Sequence, residues 1–173
     1  KSQINPHFLF NNLNNIYSYA LEGSTKTASI ILELSSVLRY MLYDCTDDFV
    51  SLSKELSHLK HFTALNELQI ESRGIISYSE EIQNGNFKIV PLILVVFIEN
   101  AFKHSSCSQS ENIIITINVS VSDIGLLEFK CSNTYINGYN NEIFTKGLGL
   151  QNVKKRLELI YHGNYNLEVK DTG

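Results

Sequence analysis

The sequence predicts an α+β chain, with a helical N-terminal region followed by an α/β sandwich. Three observations carry that expectation. From Ile4 to Ile70 the apolar residues recur at helical spacing, and from Ile113 to Cys131 they alternate with polar ones. Between and after these stretches, Pro91, Gly147 and Gly163 punctuate single helices. With 173 residues, 43% hydrophobic and 18% charged, the chain suits one globular domain or a compact domain with a helical appendage. Ample apolar content at a net charge of only −4 argues against disorder, and the slight acidic excess argues against direct nucleic-acid binding. The longest apolar stretch, Ile89 to Ile98, is too short to cross a bilayer and has Pro91 inside it. Cys45, Cys107 and Cys131 lie far apart, a spacing of neither a zinc site nor a disulfide framework.

The elements follow in order. One apolar stripe runs Phe8–Leu9–Leu13–Ile16–Tyr17–Ala20, a second Ile30/Ile31–Leu34–Leu38–Met41/Leu42, and a third Leu52–Leu56–Leu59–Phe62–Leu65. Each marks an amphipathic helix with one buried face. Glu22-Gly23-Ser24-Thr25 and Thr46-Asp47-Asp48 are the breaks, and Ser51 or Ser53 caps the third helix. At Gly74 the period changes: Ile75 to Tyr78 reads as a short strand and Asn84-Gly85-Asn86 as a turn. Pro91 suits the first position of a helix whose face is Leu94, Val95, Ile98 and Phe102, with Asn100, Lys103 and His104 together on another face. Ile113 to Val121 and Leu127 to Cys131 alternate across a turn at Asp123-Ile124-Gly125, a β-hairpin with one buried face. Residues 134–146 read as a loop, Leu150 to Ile160 as a helix ended by Gly163, and Tyr165 to Lys170 as a last strand. The domains expected are 1–71, helical, and 72–173, with a hinge between Glu71 and Gly74.

Three clusters carry chemistry. The first is Gln3 to Asn14, where His7 stands beside Pro6 at a helix start, among large apolar residues and several amides. The second is Glu99-Asn100-Ala101-Phe102-Lys103-His104, emerging from the edge of an apolar core. Asn100 and His104 share a helical face, as do Glu99 and Lys103. An amide oxygen with a carboxylate can hold Mg²⁺, and Lys103 can meet a phosphate. The third is Lys146-Gly147-Leu148-Gly149-Leu150, opening a helix, where glycines let backbone N–H groups approach phosphate oxygens.

Taken together, these blocks resemble the sensor histidine kinases of the LytS/YehU type. In that family a QINPHFLFN-like phosphoacceptor box precedes an ATP-binding domain of the GHKL superfamily, also called the Bergerat fold. The likeness covers nearly the whole chain: the box at Gln3 to Asn15, LRYMLY at Leu38 to Tyr43, LSKEL at Leu52 to Leu56, ENAFKH at Glu99 to His104 and GLGLQNVKKRL at Gly147 to Leu157. It implies that His7 accepts the γ-phosphoryl group of ATP and that Asn100 is the Mg²⁺ ligand, with Lys103 and His104 near the phosphates. Gly147, Leu148, Gly149 and Leu150 become the glycine box, and residues 134–146 the lid. The resemblance also implies a homodimer and a response-regulator partner, often of the LytTR type. It makes this chain the cytoplasmic portion of a bacterial inner-membrane sensor, anchored by an N-terminal region that the sequence, starting at Lys1, does not contain.

Two departures stand out. Asn133 occupies the position where the superfamily has an Asp that accepts from the adenine amino group, and no glycine follows closely. An amide oxygen still accepts that bond, without charge assistance. The family also continues with at least one more strand after the position of Gly173. The reaction implied is in-line phosphoryl transfer, with Glu99 the candidate base, since no acid lies in the first box. The rival readings are a GHKL-type nucleotide-binding switch without kinase activity and a helical dimerisation module that binds nothing.

Overall fold

The computed structural model describes residues 6–108, 111–136 and 148–171. The chain divides into two compact units, Lys1–Ile136 and Asn137–Gly173.

The first unit opens with three helices. α1 (Pro6–Leu21) and α2 (Thr27–Arg39) are joined by a turn in which Gly23 takes a φ of 64°, the left-handed conformation glycine adopts without steric cost. α2 runs on into a single π-helical turn (Tyr40–Asp44), which the sequence pattern does not announce. A two-residue strand, β1 (Val50–Ser51), leads into α3 (Leu52–Ile70). Ser51 caps that helix, its hydroxyl oxygen accepting the Lys54 N–H at 3.3 Å. α2 packs on α3, with Ile30, Leu34 and Val37 buried on one and Leu56, Leu59 and Phe62 on the other. Phe8 of α1 stacks on Phe62 at 4.8 Å between ring centroids, and Glu33 of α2 pairs with His61 of α3.

The sheet region follows a short 3-10 turn (Glu71–Arg73). β2 (Gly74–Ile82), β4 (Ile113–Val121) and β5 (Leu127–Asn133) form a three-stranded sheet in the order β2-β4-β5. β2 runs parallel to β4, so the chain must cross over between them, and residues 83–112 do so through β3 (Lys88–Ile89) and α4 (Val95–Ser108). β4 and β5 make the antiparallel hairpin, and β3 pairs with β1. β4 is the central strand, and Ile113, Ile115, Ile117, Val119 and Val121 on its inner face are at most 2% exposed. Each such side chain contributes roughly 1.5–3 kcal/mol on burial. α4 packs against β4 and β5, while the opposite face carries Ser77, Ser79, Asn118 and Lys130.

Three elements differ from the sequence reading. Pro91 does not open α4: Leu92 takes a φ of 57°, left-handed, so the helix cannot propagate until Val95. β2 spans nine residues rather than the four expected, because its register is set by β4 and not by its own pattern. Tyr165 to Lys170 forms no strand despite its alternation; with no strand described in the second unit to pair with, Val169 stays 72% exposed. Most of the expected loop at 134–146 and Gly147 lie outside the described residues.

Gly74 stands where a hinge was expected, and it is fixed by space. A Cβ there would come within 2.2 Å of the Ile113 carbonyl oxygen, so only glycine lets β2 approach β4. α3 is also tied across the expected domain boundary at residue 71. β1 immediately before it pairs with β3, and Lys60 meets Glu80 of β2 at 2.7 Å.

Candidate active site

His7 lies in the first turn of α1 and is exposed. The Asn11 amide, one turn on, reaches its Nδ1 at 3.3 Å. Asn12 faces inward, fully buried, and gives its amide hydrogen to the Phe8 carbonyl at 2.9 Å. The turn is thus anchored by Phe8 and Asn12 while the imidazole faces solvent. In the sequence Asn11 was read only as one of the several amides of the histidine cluster; its separation of four from His7 was the signal for this contact.

α4 carries the second cluster. Its apolar face, Ile98, Ala101 and Phe102, is at most 5% exposed. Glu99, Asn100 and His104 are half-buried, and Lys103 is exposed. Burial, helped by the Lys103 charge, holds the His104 imidazole below its usual pKa, so it favours the neutral form.

The structure brings Asn133 to this helix. Its Nδ2 donates to Ser105 Oγ at 3.2 Å and to the Thr134 carbonyl at 3.1 Å, and the fully buried Ser105 hydroxyl donates to that same carbonyl at 2.6 Å. Thr134 Oγ1 in turn accepts the Ile114 N–H at 3.0 Å. The end of β5 is therefore stitched to α4 and to the start of β4. Thr134 stood out in the sequence only for taking the place of a small flexible residue at the start of the expected lid; Ser105 was not singled out, because a small hydroxyl residue carries no periodic signal.

A third cluster was also missed. Glu55 of α3 has no exposure, and its Oε2 accepts both the Tyr40 hydroxyl and the Leu92 N–H, the latter at 3.1 Å. Burial pushes the Glu55 carboxyl up, opposed by Tyr40 and by the backbone amides of Leu92, Leu94 and Ile93. Burial also raises the Tyr40 hydroxyl, with the Glu55 charge adding to it. The sequence signal was an acid on an apolar face, in series with Leu52, Leu56 and Leu59.

In the second unit, α5 (Leu148–Tyr161) begins inside the glycine motif, with Gly149 exposed and Leu150 half-buried. It ends at His162–Gly163, both left-handed. A separate shallow hollow lies on the open sheet face, lined by Ser79, Asn118, Ser120, Glu128 and Lys130, away from the clusters above.

The sequence comparisons point to a histidine protein kinase. The histidine kinase family model matches residues 1–74. The sensor protein LytS of Staphylococcus haemolyticus is 27% identical over 99% of this chain and 31% of its own length. LytS of Bacillus subtilis is 30% identical over 71% of this chain and 21% of its own. The sensor histidine kinase/phosphatase LytS of Staphylococcus aureus is 29% identical over 69% and 20%. These matches support a sensor histidine kinase of the LytS type. The chain spans between a fifth and a third of the length of these relatives. Among solved structures, the histidine kinase domain of the Erythrobacter litoralis EL346 blue-light activated kinase matches at 15% identity, covering 91% of this chain and 66% of that one. Its TM-score of 0.43 is too loose a likeness to decide the fold.

Proposed function

We propose that this chain is the kinase core of a two-component sensor, in which Mg·ATP phosphorylates His7 and the phosphoryl group then passes to an aspartate of a response regulator. The observation that carries this reading is His7 itself: exposed on an anchored first turn, inside the segment that matches the histidine kinase family.

In the step proposed, His7 Nε2 attacks the γ-phosphorus in line, an N–P bond forms, and the P–O bond to the ADP leaving group breaks. The imidazole loses one proton, with Glu99 the candidate acceptor. Asn11 bears on which nitrogen attacks. With its Nδ2 facing the ring, Nδ1 is the acceptor; turned over, its oxygen would accept Nδ1–H and leave the Nε2 lone pair toward the phosphorus. Asn100, half-buried at the edge of a core, offers the oxygen donor that suits a hard cation bound mostly by phosphates and water. When bound, Mg²⁺ neutralises phosphate charge. In this reading Lys103 and His104 belong beside the phosphates and Asn133 accepts from adenine.

A homodimer belongs to this reading. Phe10, Leu13, Tyr17 and Leu21 recur at helical spacing along α1 and are 46–70% exposed, and Ile31 and Leu32 of α2 are 48% and 69% exposed. No helix among the described residues is long and apolar enough to cross a membrane. The response regulator, LytTR type included, and the cytoplasmic face of a bacterial inner membrane complete the proposal.

One observation favours the nucleotide switch as a second reading. The Asn133 amide nitrogen is already committed to Thr134 and Ser105, where a kinase of this superfamily has an Asp. Titration with Mg·ATP tests the site common to both. Asn100→Ala is expected to weaken binding at least about tenfold, as loss of a metal-ligating oxygen does; unchanged affinity would remove α4 from the nucleotide site.

A further inference from the structure

Three segments of the first unit converge on one carboxylate. The Tyr40 hydroxyl comes from the π-helical turn that ends α2, Glu55 from α3, and the Leu92 N–H from the turn that leads into α4. Leu92 is held at a φ of 57°, a conformation a non-glycine residue keeps only when its surroundings impose it. Glu55 supplies that constraint from 37 residues away.

A carboxylate on this face needs an explanation. Leu52, Leu56 and Leu59 surround it in sequence, each no more than 6% exposed, and a leucine at position 55 would meet no desolvation penalty. What an acid adds is an acceptor for two donors from different segments. α4 starts three residues after Leu92, and Asn100 follows within its first two turns. The helix is stiff over that distance, so displacement of the Leu92 turn moves Asn100 with it. Tyr40 occupies a π turn, a local departure from α-helical hydrogen bonding. Relaxing that turn would rotate the hydroxyl away from Glu55.

Resting on the reading of α4 as the Mg·ATP helix, we propose that Glu55 is a positioning residue that locks α4 to the end of α2, so that the grip on nucleotide at Asn100 responds to the state of the Tyr40 turn. The two ends of this link are the helix that follows the His7 helix and the helix that carries Asn100. A rearrangement of the helical hairpin therefore reaches the nucleotide through one buried carboxylate.

Amide hydrogen exchange and Mg·ATP titration on the full chain test this with three variants. Glu55→Leu removes the acceptor, Glu55→Gln keeps an oxygen for the Leu92 N–H, and Tyr40→Phe removes only the hydroxyl. In Glu55→Leu, exchange from Leu92 to Lys103 is expected to rise about tenfold or more while β4 and β5 are unchanged, with Mg·ATP affinity falling about tenfold. Glu55→Gln should recover most of both, and Tyr40→Phe should show the same pattern more weakly. Unchanged exchange in α4 would overturn the proposal. So would a rise shared equally by β4 and β5, since Glu55 would then add only general stability. Loosened α4 with unaltered affinity would also overturn it. If Glu55→Leu does not fold, Tyr40→Phe decides by the same comparison. Failure of the unmodified chain to bind Mg·ATP would remove the nucleotide reading, while the exchange pattern still decides whether Glu55 holds α4.

Discussion

Replacing His58 by leucine should remove much of this chain's sensitivity to acid. His58 lies on α3 and is 2% exposed; its ring stacks on Tyr40 at 4.4 Å, and neither ring nitrogen has a hydrogen-bond partner among the described residues. Burial, helped by the charge of His61, pushes its pKa down to about 4 from the usual 6.5. The unfolded chain therefore takes up this proton first, and stability is lost as the pH falls from 6.5 toward 4. Worked through the linkage relation, those two values give a loss of about 2 kcal/mol between pH 7.5 and pH 5. Glu55 acts in the opposite sense: burial raises its carboxyl, so its contribution is greatest in acid and falls as the pH rises through its folded value. That effect is common to both proteins, so the difference between them reports His58 together with its coupling to His61. Urea denaturation of the two chains at both pH values, followed by far-ultraviolet circular dichroism, is the assay. The unmodified chain should lose about 2 kcal/mol more than His58→Leu on acidification. Equal losses would refute the reasoning, because a buried imidazole that keeps no proton has to show this difference.

Three further substitutions probe the fold and the stitched end of β5. Gly74→Ala drives a Cβ to within 2.2 Å of the Ile113 carbonyl and should cost about 2 kcal/mol or more in chemical denaturation by parting β2 from β4. Ile117→Ala, at the fully buried centre of β4, should cost about 2–5 kcal/mol by the same measurement. Asn133→Asp sets a carboxylate against the Thr134 carbonyl at 3.1 Å, so about 1–3 kcal/mol of stability should be lost. Tighter Mg·ATP binding by that variant at unchanged stability would contradict the arrangement found at Asn133.

What could be read from the sequence was what is encoded locally. The hairpin announced itself because Ile113 to Val121 puts every second residue into the core, and the helices because Leu52, Leu56, Leu59 and Phe62 share one face. The length of β2 was not legible: Ser77, Ser79 and Glu81 carry little strand propensity, and the parallel pairing with β4 is supplied by distant chain. The start of α4 was misplaced at Pro91 because Leu92 is left-handed, its N–H bonded to an acid 37 residues earlier in the chain. The alternation at Tyr165 to Lys170 was real but lacked a partner strand among the described residues. At the candidate site, the histidine box and the Asn100 helix stood out as motifs, and Asn133 was singled out only through the family resemblance. Ser105 and Glu55 act through contacts between segments, and no single stretch of sequence displays those.

The central claim is that His7 receives phosphate from Mg·ATP. Incorporation of γ-labelled phosphate into the chain and into its His7→Gln variant tests it most directly, with acid and base stability of the label as the chemical identification. The account requires an acid-labile, base-stable label in the unmodified chain and none in His7→Gln. Label that persists in the variant, or a chain that binds Mg·ATP yet takes up no label, would contradict it.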